Sequence, residues 1–336
     1  MGPRILTVDP WNPEPDIIGK ASELLLSGRL VAFPTETVYG LGANGLDPLA
    51  AARIFAAKGR PADNPLILHF YRLSGVEEVA FVPPQAKRLM ELFWPGPLTL
   101  VLPSKGVVPA EVTAGLDSVA VRMPSHPVAL ALIERTGLPV AAPSANSSGR
   151  PSPTDAQAVA SDLGRGVDLI LDGGKTSVGV ESTVLDVTGE RVVLLRPGGC
   201  SVEEIETRAG VEVLLTGGGI HRSPGTRYRH YAPRIPLILD IDVEAYFQKD
   251  AIGRLRKGRV AWIGMRAPDI FPGEIGNDPE LCLLFNSLEN YARGLFHALR
   301  TFEDAGAELI VAQWPPSPAG LGRALRDRLA RASMKE

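Results

Sequence analysis

Short apolar segments alternate with amphipathic ones along residues 16–142, and this alternation constrains the fold more than any other feature of the sequence. Apolar residues recur at helical spacing from Asp16 to Ser27, Gly28 ends that pattern, and the β-favouring segment Arg29–Phe33 follows. The same rules predict helices at Leu49–Ala57, Pro84–Phe93 and Pro127–Arg135, and strands at Leu66–Phe70, Leu98–Leu102, Ser118–Met123 and Pro139–Ala142. Helices and strands that alternate in this way predict an α/β fold.

The sequence that follows predicts a mixed sheet. Two capping boxes, Thr154 with Gln157 and Ser201 with Glu204, indicate the starts of two more helices. The strands predicted here are Val167–Leu171, Thr183–Val187 and Val192–Leu195. A short turn joins the last two as a hairpin, and hairpin strands are antiparallel. We therefore expect a twisted mixed sheet flanked by helices.

The composition changes at Gly217–Pro236, which has three consecutive glycines, three prolines, four arginines, two histidines and no acidic residue. This predicts a basic linker that could close over a ligand as a lid, between a first domain at residues 1–216 and a second at residues 237–336. The second domain is predicted to have strands at Leu237–Ile241, Val260–Met265 and Leu309–Gln313, and helices at Ala245–Arg256, Leu288–Asp304 and Leu321–Ala332. That order predicts a smaller, Rossmann-like α/β domain.

Composition excludes several classes of protein. The net charge is −3, from 35 basic and 38 acidic residues, so the chain has no general electrostatic footprint for a nucleic-acid backbone. Its two cysteines, Cys200 and Cys282, are too few for a metal cluster or a disulfide framework and are expected to be reduced thiols. The sequence has neither a secretory signal core at its start nor an apolar run of membrane-spanning length. We therefore expect a cytoplasmic protein.

Two patterns associated with phosphate binding occur outside their usual context. Gly40–Gly45 matches G-x-G-x-x-G, but its first glycine lies well beyond the predicted strand Arg29–Phe33 rather than at a strand-to-helix turn. The segment 174–176, Gly-Lys-Thr, resembles the end of a P-loop, yet Leu169 stands where the first glycine of that loop should be. The five histidines do not pair with cysteines or acids at metal-ligand spacing, and no G-x-S-x-G elbow is present.

Small polar and cationic residues concentrate instead in loops at the predicted strand and helix ends. These loops are 34–40, 58–65, 143–149, 181–183 and 196–198. Alone, each is also typical of an ordinary turn or of a cation at a helix C-terminus. Together they supply several separate cations and many neutral donors, with no obvious buried acid–base pair. That set suits a polyphosphate, whose charge is balanced by Lys, Arg and Mg²⁺.

The same segments, in the same order, resemble the YrdC-type threonylcarbamoyl-adenylate synthases. The matching motifs are PTETVYGLG at 34–42, KGRPADNPLILH at 58–69, the strand Ser118–Arg122, PSAN at 143–146, ESTVLD at 181–186 and RPG at 196–198. One such motif is weakly specific, whereas six in register across a whole domain are a specific signal. The stretch PGTRYRHYAP at 224–233 and the C-terminal helix extend the resemblance to the two-domain form of that family.

The resemblance implies a YrdC-like fold and an enzyme that makes threonylcarbamoyl-AMP and pyrophosphate from L-threonine, bicarbonate or CO₂, and ATP. It implies Mg²⁺ with ATP as the cofactor, a tRNA-modifying threonylcarbamoyl transferase complex as the partner, and tRNA itself as a further candidate partner. The residues that it implies for L-threonine are Thr37, His69, Arg122, Ala142 and Ser182. Those that it implies for ATP are Lys58, Arg60, Asn64, Ser118, Ser144, Asn146, Ser152, Arg196 and Tyr231, with Lys58 and Arg60 catalytic on the phosphates.

Two alternatives belong to other classes of function. One is a module of the same fold that binds double-stranded RNA or tRNA; the basic linker favours it, the net charge of −3 argues against it, and a steep salt dependence of tRNA affinity would support it. The other is a carbamoyl-transferring enzyme of hydrogenase maturation. That larger family carries zinc-finger modules, for which two cysteines cannot suffice.

Overall fold

The computed structural model describes residues 3–215, 230–242, 259–267 and 280–333. The chain divides into two compact units, the first with residues 1–148 and 152–227 and the second with residues 149–151 and 228–336. The linker expected at Gly217–Pro236 is described only from His230 onward. The lid expected there, and the helix expected at Ala245–Arg256, therefore lie outside the described residues.

Strands and helices alternate through the first unit, as the sequence predicted. The strands are β1 (Arg4–Thr7), β2 (Val31–Phe33), β3 (Gly40–Asn44), β4 (Ile67–His69), β5 (Leu98–Pro103), β6 (Ser118–Arg122), β7 (Val140–Ala141), β8 (Leu169–Asp172), β9 (Thr183–Asp186), β10 (Val192–Arg196) and β11 (Val213–Leu215). The helices are α1 (Pro15–Leu26), α2 (Pro48–Lys58), α3 (Leu73–Val79), α4 (Pro84–Phe93), α5 (Ala110–Thr113), α6 (Pro127–Thr136), α7 (Ala156–Leu163) and α8 (Val202–Ala209).

The strands of the first unit form one mixed sheet in the order β1-β8-β2-β3-β7-β4-β6-β5-β9-β10-β11. The predicted hairpin is present: β9 and β10 are antiparallel, with Leu185 opposite Leu194. Parallel pairs such as β4 with β6 and β5 with β9 lie in the same sheet. The expectation of a mixed sheet is confirmed.

Helices pack on both faces of this sheet because successive side chains of a strand point to opposite faces. On one face, Phe33 of β2 packs in a core with Leu25 of α1 and Leu132 of α6. On the other face, Ala32 of β2 packs in a larger core with Ile54 of α2, to which α4, α7 and α8 also contribute. Burial of one large apolar side chain stabilises a fold by roughly 1.5–3 kcal/mol. Since both faces are covered, the loops at the strand ends are the parts of the sheet left to bind a ligand.

The starts of the predicted helices agree with the sequence except at one cap, whereas the short helices α3 and α5 were not predicted. Ser201 accepts a hydrogen bond from the N–H of Glu204 and begins α8, as expected. The cap expected at Thr154 is wrong, because Asp155 accepts from the N–H of Ala158 and begins α7 one residue later. The backbone explains the difference: the carbonyl of Thr154 already accepts from the N–H of Thr176, which holds this residue outside the helix.

The glycines of the G-x-G-x-x-G match serve strand packing. They fall on β3, which the sequence did not predict, and just after it. A Cβ on Gly42 would lie 2.8 Å from Cε1 of Phe33, and a Cβ on Gly45 would lie 2.4 Å from Cδ2 of Leu68. A side chain at either position would therefore displace the core next to the strand.

The second unit contains a smaller parallel sheet, as expected. Its strands are β12 (Leu237–Leu239), β13 (Val260–Gly264), β14 (Cys282–Leu284) and β15 (Leu309–Ala312), in the order β12-β15-β13-β14. Its described helices are α9 (Leu288–Asp304) and α10 (Leu321–Ser333). Parallel strands with helical connections are typical of a Rossmann-like domain. Across the described residues, no helix has the length and apolar character needed to span a membrane.

Residues 149–151 pack with α9 inside this second unit. Arg150 forms a bidentate ion pair with Glu303, with N–O distances of 2.7 and 2.6 Å. The side chains of Arg150 and Glu303 are 15% and 8% exposed. The N–H of Ala232 donates to the carbonyl of Gly149 at 2.8 Å. These bonds attach the segment to α9 and to the chain just before β12.

Candidate functional site

Backbone hydrogen bonds bring three of the motif loops together at the ends of strands of the first sheet. Tyr39, in the loop between β2 and β3, donates its N–H to the carbonyl of Pro153 and accepts from the N–H of Ala145. In the same loop, the carbonyl of Thr37 accepts from the N–H of Gly179 at 3.0 Å. Residues 34–39, 143–148, 152–154 and 176–179 are therefore neighbours, although the sequence separates them widely.

Four residues of the predicted threonine site lie close to one another. The register of β4 with β6 places His69 beside Arg122, and that of β5 with β6 places Thr99 on the other side of Arg122. Thr99 shares a 2.8 Å hydrogen bond with the hydroxyl of Ser182. Ala142 follows β7 and donates its N–H to the carbonyl of Ile67 in β4. Thus Arg122, His69, Ser182 and Ala142 come from neighbouring strands, although they are far apart in sequence.

Thr37 lies in the loop that joins this group to the segment 176–182. The side chain of Thr37 is fully buried, and its hydroxyl is 2.8 Å from that of Thr35. Thr35 in turn donates to the carbonyl of Val38 at 2.6 Å. This chain of bonds fixes the loop locally.

His69 is a neutral, buried imidazole. Burial, and after it the positive charge of Arg122, lowers the pKa of His69 to about 3. Nδ1 lies 3.2 Å from the carbonyl of Ile67, and the ring also contacts the backbone of Val140. A neutral ring that donates from Nδ1 to Ile67 has Nε2 as its acceptor nitrogen. A neutral imidazole keeps one acceptor nitrogen, which can accept a hydrogen bond from a hydroxyl at pH 7.

Arg196 and the glycine after it shape the segment that carries Ser182. Arg196 donates from Nη2 to the carbonyl of Ser182 at 3.0 Å and to its hydroxyl at 3.2 Å. A Cβ on Gly198 would lie 2.3 Å from the carbonyl oxygen of Glu181 and 2.4 Å from the nitrogen of Thr183. The RPG motif therefore contributes two features to the Ser182 segment. Arg196 donates hydrogen bonds to Ser182, and Gly198 lacks the Cβ that would collide with the backbone of this segment.

A second group of predicted residues surrounds Lys58 at the end of α2. Gly59, in the left-handed conformation with φ 60°, ends that helix. The Lys58 ammonium donates to the carbonyls of Ser144 and Asn146, at 2.6 and 2.5 Å. The hydroxyl of Ser144 donates to Oδ1 of Asn146 at 2.5 Å. Lys58 is therefore part of the PSAN loop as well as of its own helix.

The charge on Lys58 is set by its surroundings. Burial, and then the positive charge of Arg60, lowers the pKa of Lys58 well below the ordinary lysine value. Asp162 and Glu181 act in the opposite direction. An anion near Lys58 and Arg60 would offset the repulsion between their positive charges. The two charges therefore suit phosphate oxygens.

Arg60 holds the loop that follows α2. Its Nε donates to the carbonyl of Asn64 at 3.2 Å and its Nη2 to the carbonyl of Pro65 at 3.1 Å. Continuation of the β4–β6 register places Ser118 alongside Pro65. Ser118 and Arg122 are at opposite ends of β6, roughly 13 Å apart along the strand. The structure therefore groups Ser118 with the Arg60 loop and not with the His69 and Arg122 group.

Ser152 and Tyr231 complete the predicted set. Ser152 is buried and donates to the carboxylate of Glu181 at 2.5 Å. Tyr231 belongs to the second unit, where its ring stacks on Phe296 with 5.4 Å between centroids and Arg328 lies over it at 5.0 Å. The role of Tyr231 toward ATP stays a prediction.

Sequence reasoning missed the buried acids among these loops. It expected no buried acid–base pair, yet Glu36 forms a 2.6 Å ion pair with Arg122, and both side chains are buried. Glu181 is also buried, beside Ser152. A signal was present: each acid lies inside a recognised motif, PTETVYG or ESTVLD, among residues that favour burial. Within the described part of the chain, no three His, Cys, Asp or Glu side chains are arranged to hold a metal ion.

Two family models match the chain, one after the other. A model of the Sua5, YciO and YrdC proteins, described as telomere recombination, matches residues 23–198. A model described as threonylcarbamoyl-AMP synthase, C-terminal domain, matches residues 200–334.

Similar proteins match over nearly the whole chain. The chain is 47% identical over 322 residues to a threonylcarbamoyl-AMP synthase of Pyrococcus abyssi, and the matched segment covers 93% of each protein. It is 45% identical to one of Bacillus subtilis, covering 94% of this chain and 92% of that protein. The crystal structure of P. abyssi Sua5 complexed with L-threonine superposes with a TM-score of 0.88 and 45% identity, covering 98% of this chain and 97% of that one. E. coli YciO matches 58% of this chain and 96% of its own with a TM-score of 0.53 and 28% identity.

Proposed function

The chain belongs to the Sua5/YciO/YrdC family, and from that premise we propose that it is a nucleotidyltransferase that makes threonylcarbamoyl-AMP for the modification of tRNA. Its substrates are L-threonine, bicarbonate or CO₂, and ATP, and pyrophosphate is the second product. The observation that carries the proposal is the presence of two groups of side chains in the first unit: Arg122 and His69 suit an amino acid, and Lys58 and Arg60 suit a triphosphate.

L-Threonine occupies the first group in this proposal. Arg122 binds its carboxylate, because a guanidinium offers planar N–H donors that match a carboxylate. Nε2 of neutral His69 accepts from the threonine hydroxyl, and the hydroxyls of Thr37 and Ser182 provide further partners. The methyl group of Ala142 adds an apolar contact. Serine lacks only the threonine methyl, whereas valine lacks the hydroxyl that these polar groups require.

ATP occupies the second group. Lys58 and Arg60 contact the phosphates and stabilise charge that develops as pyrophosphate leaves. Asn64, Ser118, Ser144, Asn146, Ser152, Arg196 and Tyr231 surround the nucleotide in this proposal. Lys58 already orders the backbone of the PSAN loop, and the hydroxyl of Ser144 donates to the amide oxygen of Asn146, so less reorganisation is needed when ATP binds.

In this proposal the reaction depends mainly on holding the two substrates side by side. The threonine amine bonds to the carbon of CO₂ and loses a proton to give a carbamate. From bicarbonate the same carbamate forms as a C–O bond breaks and water leaves. A carbamate oxygen then attacks the α-phosphorus of ATP, and the bond to pyrophosphate breaks. Alignment of two bound reactants can supply roughly 7–11 kcal/mol of barrier reduction, so a strongly basic side chain is not essential.

Mg²⁺ belongs to the proposal as the companion of ATP. The oxygen atoms of Ser144, Ser152 and Glu181 are the hard ligands that Mg²⁺ prefers, so the residues of this group fit a magnesium–nucleotide complex. When bound, Mg²⁺ neutralises phosphate charge and favours departure of pyrophosphate.

The product is a reactive mixed anhydride, so its use requires a partner. We propose a threonylcarbamoyl transferase complex that transfers the group to an adenosine of tRNA. Direct binding of tRNA is tested separately, by measuring the affinity for tRNA at increasing salt concentrations. A steep fall in affinity would support direct binding through phosphate contacts.

Mass spectrometry tests the proposed reaction directly. Purified protein with L-threonine, bicarbonate, ATP and Mg²⁺ should yield threonylcarbamoyl-AMP, and ¹³C-bicarbonate should label the carbamoyl carbon. Omission of threonine or its replacement with D-threonine should abolish the product. Pyrophosphate release that does not depend on threonine would contradict the proposal.

A further inference from the structure

Glu36 is a buried acid that has no role in the reaction proposed above. Both of its carboxylate oxygens have donors: Oε1 accepts from Nη2 of Arg122 at 2.6 Å, and Oε2 accepts from the N–H of Ser125 at 3.1 Å. The side chains of Arg122 and Glu36 are 5% and 8% exposed. The cost of removing two ions from water offsets much of their attraction, so stability alone is a weak reason for such a pair. A role in the site explains it better.

The pair fixes the plane of the Arg122 guanidinium. Nε donates to the carbonyl of Gly96 at 3.3 Å, and Nη2 donates to Glu36. A guanidinium is planar and has five N–H donors, so two fixed donors orient the remaining three. His69 lies beside Arg122 in the neighbouring strand, on the side where we place threonine.

Glu36 is itself held by the backbone. Its carbonyl accepts from the N–H of Val178 at 2.8 Å, and the next carbonyl, of Thr37, accepts from the N–H of Gly179 at 3.0 Å. These two bonds to neighbouring residues therefore limit the movement of the backbone that carries this acid. A carboxylate held in this way serves as a fixed support for Arg122 rather than as a mobile competitor of the substrate.

We propose that Glu36 is a positioning residue that orients Arg122 for the carboxylate of the substrate amino acid. This inference rests on the proposed function, since it takes the substrate to be L-threonine. A carboxylate suits the task because each of its two oxygens can accept from one of the two facing donors. Glutamine has a single oxygen, so its NH₂ group would oppose either Arg122 or the N–H of Ser125. In Glu36→Gln the guanidinium should lose its fixed plane.

The test compares L-threonine with L-threonine amide, which keeps the hydroxyl and the amine but lacks the carboxylate. Calorimetry gives the Kd of each ligand, and the ratio of the amide Kd to the threonine Kd measures how well the protein recognises the carboxylate. The proteins are wild type, Glu36→Gln, Glu36→Asp and Asp168→Asn. Asp168 is a matched control in the same unit, because it also accepts from arginines and a backbone N–H, namely those of Arg29, Arg53 and Leu30.

In Glu36→Gln we expect the ratio to fall by about tenfold, because a lost charge-assisted hydrogen bond has an effect of that size. KM for threonine should rise by a similar factor while KM for ATP stays unchanged. Glu36→Asp keeps the charge but moves it one methylene away, so its ratio should fall less, and it provides the readout if Glu36→Gln does not fold. Asp168→Asn should match the wild type.

Other outcomes would overturn the inference. Equal weakening of both ligands would show that Glu36 supports the fold without a specific effect on carboxylate recognition. A ratio that rises would show that Glu36 is a counter-ion that competes with the substrate carboxylate. Failure of the wild-type protein to bind threonine at all would instead contradict the proposed function, so the two failures are distinguishable.

Discussion

Acidification should destabilise the first unit through His69. The pKa of His69 is about 3 in the folded chain, whereas an unfolded chain has an ordinary histidine pKa near 6.5. Between these values the unfolded state binds more protons, so the stability conferred by neutral His69 is present above about pH 6.5 and is lost as pH falls toward 3. From these two pKa values, His69 alone should reduce the free energy of unfolding by about 2 kcal/mol between pH 7 and pH 5.

Denaturant unfolding of the wild type and of His69→Gln, each at pH 7 and pH 5, measures this contribution. Glutamine does not titrate, so the wild type should lose about 2 kcal/mol more than the variant over this interval. All other titrating groups contribute to both proteins and cancel in the difference. Equal losses would refute the reasoning, because they would mean that His69 is protonated or solvated in the folded state. Since His69 stays neutral at pH 5, its acceptor nitrogen should remain available to threonine at that pH.

Three further predictions concern turnover, specificity and stability. Lys58→Ala should lower the rate of pyrophosphate release by about two orders of magnitude, the size of a lost transition-state contact, and near-normal release would remove Lys58 from the mechanism. In calorimetry, serine should bind more weakly than threonine by roughly 1–3 kcal/mol and valine more weakly still, because valine leaves buried polar groups unpaired; equal affinity for valine and threonine would contradict the assigned pocket. Gly198→Ala should lower the melting temperature and the affinity for threonine, whereas Gly189→Ala, with nothing within 4 Å of the new Cβ, should change neither.

Periodicity in the sequence was a sound guide to the long elements of the fold. The helix predicted at Pro84–Phe93 has those bounds in α4, and the one predicted at Leu288–Asp304 has those bounds in α9. In each case an apolar face repeats with the helical period. The strand β3 was missed because Gly40–Asn44 is rich in glycine, which disfavours strands on propensity. Contacts with Phe33 from β2 override that preference, and such contacts are not visible in a local window of sequence.

The candidate site also has residues that the sequence could identify and residues that it could not. Motifs could identify Lys58 and Arg122 as members of a site, because their residue types and loop positions are in the sequence. The acid beside Arg122 could not be assigned, since Glu36 lies 86 positions away and only the arrangement of β2 and β6 brings the two together. The position of Ser118 at the far end of β6 from Arg122 also follows from strand register, which motif spacing does not report.

The cations of the site also order the loops that hold them. Backbone carbonyls that would otherwise be solvated point inward and accept from buried cations: those of Ser144 and Asn146 from Lys58, and that of Ser182 from Arg196. Removal of one cation would take a charged hydrogen-bond donor from those buried carbonyls, and loss of a hydrogen bond to a buried group costs about 1–3 kcal/mol. The PSAN loop and the Ser182 segment therefore depend for their conformation on the side chains that we place around ATP. A mutation at Lys58 consequently changes both the charge available to the phosphates and the shape of the loop, and Lys58→Arg, which restores charge without the lysine geometry, separates the two effects.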